Sequence, residues 1–244
     1  MHAAPDGHTI VMGHIASHAI VPAMHDPQPY DVLRDFSAVS LVTTAPELLV
    51  VASQSQAKTV ASLVSLAKSK PDEVTYGSPG IGLTQHLMGY MLARSAGVSM
   101  SHVPYKGTAP GLTDLMGGRI TMMFVTPGAV PGHIKDGRLT PVAITSPRRS
   151  PKLPDVPTFT ELGMPILEQV SWFGVFAPAR TPPPAVAKIS GDIAKVLAMP
   201  EVRAKIEAQF SDPVGTTPEQ FAAFLGKDVP KWAAIVKSSG VRAD

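Results

Sequence analysis

Apolar and polar positions change period repeatedly along the chain. Residues 8–13 read as a strand, followed by loop or short helix over 14–24 and an irregular stretch at 27–31. The apolar runs 36–43 and 47–52, split by Pro46, read as buried strands. Thr59 then offers an N-cap, and Val60, Leu63, Val64 and Ala67 recur at helical spacing before Pro71 stops them. Beyond it strands at 74–76, 101–103, 119–125 and 140–145 alternate with helices at 83–96, 109–116 and 130–135. A proline-rich loop at 147–157, a helical turn at 158–162 and a strand at 170–176 follow. Helices at 183–198 and 200–210 precede a long C-terminal helix opened by Thr217-Pro218-Glu219-Gln220. That tetrad joins an N-cap, proline at the first helical position and a capping-box glutamine. Pro230 marks an expected kink. Such alternation predicts an α/β architecture with mostly parallel sheets flanked by helices.

In open parallel sheets, ligands lie beyond the carboxyl ends of the strands. Three predicted strand exits are of this kind, after Tyr76, Val103 and Val125. The first is Gly77-Ser78-Pro79-Gly80-Ile81-Gly82, a Gly/Ser loop that opens an apolar helix. Backbone N–H groups gather at a helix N-terminus, and the helix dipole favours negative charge there. The second exit, Pro104-Tyr105-Lys106-Gly107-Thr108, has similar character. Two such loops close in sequence suggest a pocket for an anion, most simply a carboxylate. The first loop lacks the Gly-Lys-Ser/Thr of a phosphate-binding loop and the spacing of a dinucleotide fingerprint. It is not a nucleophile elbow, because Tyr76 stands where that motif needs glycine. Taken alone, it reads first as a tight strand-to-helix turn. Lys106 fits a solvated lysine and a charge that draws in an acid equally well.

Composition narrows the classes. The chain has 244 residues, 16% of them charged, and a net charge of +2 without a concentrated basic stripe, which argues against a nucleic-acid groove. With no cysteine, thiolate catalysis, disulfides and cysteine zinc sites are excluded. His14, His18 and His25 are spaced like metal ligands, but no H-E-x-x-H accompanies them, and a structural role fits better. His86 and His102 are isolated and read as satisfied or exposed histidines rather than bases. Trp172 and Trp232 read as packing residues. No paired carboxylates or Ser/His/Asp set stands out, which points to binding rather than chemistry. Residues 1–7 have neither a basic nor an apolar signal-peptide region, so this stretch would not direct export.

The loops say more as an ordered set. They run Pro5-Asp6-Gly7-His8-Thr9; Tyr30-Asp31; Tyr76-Gly77-Ser78-Pro79-Gly80-Ile81-Gly82 with His86-Leu87; His102-Val103-Pro104-Tyr105-Lys106-Gly107; Gly117-Gly118-Arg119; Leu153-Pro154-Asp155-Val156-Pro157-Thr158; and Trp172-Phe173-Gly174-Val175-Phe176-Ala177-Pro178. This series, which covers essentially the whole chain, resembles the solute-binding receptors of tripartite tricarboxylate transporters, the Bug family.

The resemblance implies a two-lobed periplasmic-binding-protein-like fold of type II that captures a small carboxylic acid in a cleft and delivers it to a membrane permease. It implies a monomeric periplasmic receptor with no cofactor, no metal and no catalytic residues. It places ligand contacts at Ser78, Gly80, Ile81, Gly82, Thr84, Lys106, Gly107 and Thr108, with Thr126 a further candidate. In the first lobe it places them at Ala16, Ser17 and His18. The expected lobes are residues 1–52 with 172–244, and 53–171, closing by a hinge at the crossings. Family members carry a signal peptide, a first strand and a Pro-x-x-x-Gly-Gly-type loop ahead of the present start, so the first lobe is expected to be N-terminally truncated. Two other readings stay open: an α/β enzyme acting on a carboxylate substrate with His18 or His86 as base, and a non-binding remnant or interaction protein.

Overall fold

A computed structural model describes residues 3–71 and 73–242. Met1 and His2, which belong to the stretch read for export signals, lie outside the described residues. The chain forms two compact units, Met1–Ala45 with Ser171–Asp244, and Pro46–Val170.

In the first unit, β1 (Val11–His14) leads through a π-helical turn at Ala16–Ile20 and a 3-10 turn at Pro22–Met24 to α1 (Val32–Asp35) and β2 (Phe36–Pro46). Asp31 caps α1 by accepting from the N–H groups of Leu33 and Arg34, a short helix absent from the sequence expectation.

In the second unit the order is β3 (Leu48–Ala52), α2 (Val60–Ser69), β4 (Thr75–Ser78), α3 (Thr84–Ala96), β5 (Ser101–Pro104), α4 (Thr108–Met116), β6 (Met122–Val125), α5 (Pro131–Lys135) and β7 (Leu139–Ile144). The chain returns to the first unit in β8 (Val170–Pro178), α6 (Pro183–Ala198), α7 (Pro200–Ala208), β9 (Asp212–Pro213) and α8 (Pro218–Ser239). α8 runs through Pro230, and no helix among the described residues is long and apolar enough to cross a membrane.

The α/β class holds, but the sheets are mixed where mostly parallel ones were expected. The first unit's sheet has the order β1-β8-β2-β9, with β1 antiparallel to β8 and β2 antiparallel to β9. The second unit's sheet has the order β5-β4-β6-β3-β7. Parallel pairing joins β4 to both β5 and β6. β3 is antiparallel to β6 and β7, although α2 links it to β4. Leu48–Ala52, expected in the first lobe, therefore lies in the second unit.

Each unit has its own core. In the second, Leu48, Val50, Met123, Val125 and Ile144 pack with Leu112 and Leu115 of α4. Gly89 sits mid-helix on α3, where a Cβ would stand 2.2 Å from the buried Tyr76 ring. Its lack of a side chain lets α3 lie on that ring, which outweighs the intrinsic cost of glycine in a helix. The first unit's core is aromatic: Trp172 packs edge-on against Phe221 and Phe224, and Phe176 stacks on His18. Trp172 is fully buried, and its indole N–H donates to Asp228 Oδ2 at 2.8 Å.

Candidate functional site

The parallel pairing of β4 with β5 and β6 brings three strand exits to one edge of the second unit's sheet. Ser78 stands opposite Pro104, and beyond the ladder the Tyr105 N–H donates to the Ser78 carbonyl and the Gly107 N–H to the Pro79 carbonyl, both at 2.9 Å. The two loops are thereby tied side by side, and α3 and α4 start at the same edge. Thr126 follows the end of β6 there and is solvent-exposed. The structure thus gathers the candidate residues 78–84, 106–108 and 126.

Their chemistry is more divided than the sequence suggests. Ser78 is buried, donates its hydroxyl to the Gly80 carbonyl at 2.9 Å and receives the Gly80 N–H at 3.3 Å. The Gly82 N–H donates to His86 Nδ1 at 3.1 Å. The amides of Gly80, Gly82 and Gly107 are therefore already engaged within the fold. At the helix starts the case differs. Neither α3 nor α4 has a side-chain cap or an acidic residue in its first turn. Among the described residues, no partner takes the N–H groups of Thr84 and Gln85 on α3 or of Thr108 and Ala109 on α4. These orphan donors and both helix dipoles face one sheet edge, the arrangement that receives an anion. Ile81 and Lys106 lie exposed beside them.

Two histidines that look isolated in the sequence meet behind the loop. The rings of His86 and His102 stack with centroids 3.7 Å apart and planes 10° from parallel, and Tyr76 lies 5.0 Å from His102. His102 Nε2 is 2.7 Å from Ser78 Oγ. Burial lowers both rings to a pKa of about 4, with the neighbouring His86 adding to the effect on His102. Burial likewise raises the Tyr76 phenol to about 12. The signal for this pair was the parallel placement of 76 and 102, which only the sheet register supplies.

Sequence reasoning also passed over Glu47. Its side chain is fully buried just before β3, with both carboxylate oxygens 3.1 Å from the Gln85 amide nitrogen. Its backbone N–H donates to Thr145 Oγ1 at 2.8 Å, and the Thr145 N–H donates to the Glu47 carbonyl at 3.0 Å. This tie fixes the first turn of α3 to β3 and β7.

Ala16, Ser17 and His18 of the first unit form a turn bonded to His14 and to Tyr30, whose hydroxyl donates to the Ser17 carbonyl. The Ser17 hydroxyl reaches the His14 carbonyl at 3.1 Å and His18 Nδ1 at 2.9 Å, and it also receives the His14 N–H at 3.2 Å. The Ala16 N–H donates to His14 Nδ1. His18 is only 6% exposed, and no hydrogen-bond partner meets its Nε2 among the described residues. Burial first, and His14 second, lower its pKa to about 4. A groove of about 600 Å³ in the first unit, walled by Ala187, Gly191 and Ala194 of α6 and by Thr217 and Glu219 at the start of α8, contains none of the expected residues.

Known proteins share this chain's pattern over nearly its full length. The Bordetella pertussis protein BugT is 32% identical over 240 residues, which cover 98% of this chain and 74% of BugT. A solved R. palustris protein, Rpa4515 with adipate, superposes with a TM-score of 0.86 at 31% identity, over 99% of this chain and 81% of that one. MatC from Rhodopseudomonas palustris, solved with bound malate, gives 0.81 at 30% identity, over 96% and 81%. The model of the tripartite tricarboxylate transporter family receptor matches residues 1–241. That family comprises receptors rather than enzymes, and the chain belongs to it.

Proposed function

We propose that this chain is a solute-binding receptor for a small organic acid, and that its second unit holds the acid's carboxylate on the free N–H groups opening α3 and α4. The observation that carries the reading is the pair of uncapped, acid-free helix starts on one sheet edge. A carboxylate there satisfies donors that the fold leaves open and lies at the positive end of two dipoles. Thr108, half-buried at the first position of α4, adds a hydroxyl, and exposed Lys106 adds long-range attraction. The relatives solved with adipate and malate support a dicarboxylate as the ligand class. By kinship the receptor works in the periplasm as a monomer and hands its ligand to the permease of a tripartite transporter, and the two compact units are its two lobes.

Calorimetric titration with adipate, malate and adipamide tests this. Binding of an acid but not of the diamide is expected. Thr108→Asp would place a fixed carboxylate in the first turn of α4, and it should weaken acid binding at least tenfold, about 1.4 kcal/mol. Equal affinity for acid and diamide would refute the reading.

A further inference from the structure

We propose that His86 and His102 are positioning residues for the acid site: stacked on each other, they set the backbone of the loop from Ser78 to Gly82 and, through it, the start of α3. The proposal rests on the carboxylate reading of that edge.

Each ring holds one end of the loop. His86 Nδ1 accepts the Gly82 N–H at 3.1 Å, so the proton of this neutral ring sits on Nε2. Gly82 has φ +72°, a left-handed conformation in which a side chain would be strained, and the His86 bond fixes the direction its amide points. At the other end the Ser78 hydroxyl donates to the Gly80 carbonyl, which leaves Ser78 Oγ to accept from the Nε2–H of His102 at 2.7 Å. One ring thus acts as acceptor through Nδ1, the other as donor through Nε2. Stacking at 3.7 Å makes the position of either depend on the other. His86 is itself on α3, so the ring that receives Gly82 also ties the loop to the helix whose Thr84 and Gln85 amides stand open. Neither histidine needs to touch the ligand for this role.

The two nitrogens suggest a test with opposite outcomes at the two positions. The Oδ1 of asparagine occupies the place of histidine Nδ1, while the glutamine amide nitrogen reaches the place of Nε2. His86→Asn should therefore keep the Gly82 amide slow to exchange and the affinity for malate or adipate within about threefold of the parent, whereas His86→Gln loses tenfold or more on both. At position 102 the order reverses: His102→Gln is tolerated and His102→Asn is not. Amide exchange is read by NMR, affinity by calorimetry and folding by thermal melting of the whole chain. A packing role alone gives no reason for reversed rankings, so the same ranking at both positions, or parent-like behaviour of all four variants, would overturn the proposal. Should both variants at one position fail to fold, the ranking at the other decides. If the parent binds neither acid, the carboxylate reading fails on its own, and the exchange ranking still decides the positioning role.

Discussion

Lowering the pH from 7 to 5 should destabilise this protein through three histidines, two buried and one half-buried. His18, His86 and His102 each fall from an ordinary 6.5 to about 4 in the folded state, chiefly through burial. Between those values the unfolded chain binds protons that the folded rings refuse. Stability is therefore complete above 6.5 and is lost as the pH falls toward 4. For one such ring the loss between pH 7 and 5 is about 2 kcal/mol by linkage. His18 and His86, 6% and 8% exposed, carry that figure. His102 is more accessible, and solvent screening halves it to about 1 kcal/mol. The first unit should thus lose about 2 kcal/mol and the second about 3 kcal/mol, out of typical domain stabilities of about 5–15 kcal/mol. The shifted carboxylates, such as Asp114 and Glu161, are lowered from 3.8 and 4.5 and titrate below this window. Both tryptophans and Tyr30 belong to the first unit, whereas Tyr76, Tyr90 and Tyr105 belong to the second. Urea unfolding at pH 7 and 5, followed by tryptophan fluorescence for the first unit and, with Tyr30→Phe, by tyrosine circular dichroism for the second, reads the two losses; a single joint transition would show their sum. Equal unfolding free energies at the two pH values would refute the account of the buried rings.

Other outcomes follow from packing and charge. Gly89→Ala should cost about 1–3 kcal/mol, because the new methyl collides with the Tyr76 ring, and a urea midpoint measures it. Asp228→Ala should cost about 1–3 kcal/mol by leaving the buried Trp172 N–H without its acceptor, with a shift in tryptophan emission as a second readout. Lys106→Ala should slow acid association and flatten its dependence on salt, with little change in dissociation, as stopped-flow kinetics would show.

Local signals wrote much of the fold plainly. α6 runs over the residues its apolar spacing predicts, Thr217 forms the capping box expected of it, and Thr59 is the expected N-cap, its box completed by Ser62. What the sequence hid depends on pairing between distant strands. β3 looks like any strand of an α/β chain, and only its pairing with β6 and β7 shows that it runs antiparallel. The Gly/Ser loop looks like a row of open amides, yet Ser78 and His86 take two of them, and the open ones lie at the next helix turn. His86 and His102 read as unrelated because their meeting depends on the β4–β5 register. Glu47 and Gln85 meet across a longer separation, 38 residues. Ser17 and His18 read as loop residues in sequence, whereas in the fold the Ser17 hydroxyl bonds both the His14 backbone and the His18 ring.

Gly89 has a consequence for how this sequence can evolve. The Tyr76 ring fills the space that a side chain at 89 would need, and that ring leans on His102, whose nitrogen holds Ser78. Positions 76, 89, 102 and 78 therefore drift as a set: a larger residue at 89 becomes acceptable only after Tyr76 shrinks, and a smaller residue at 76 removes the wall behind His102. Among relatives, a side chain at position 89 should be accompanied by a small residue at 76, and chains that keep the tyrosine should keep the glycine.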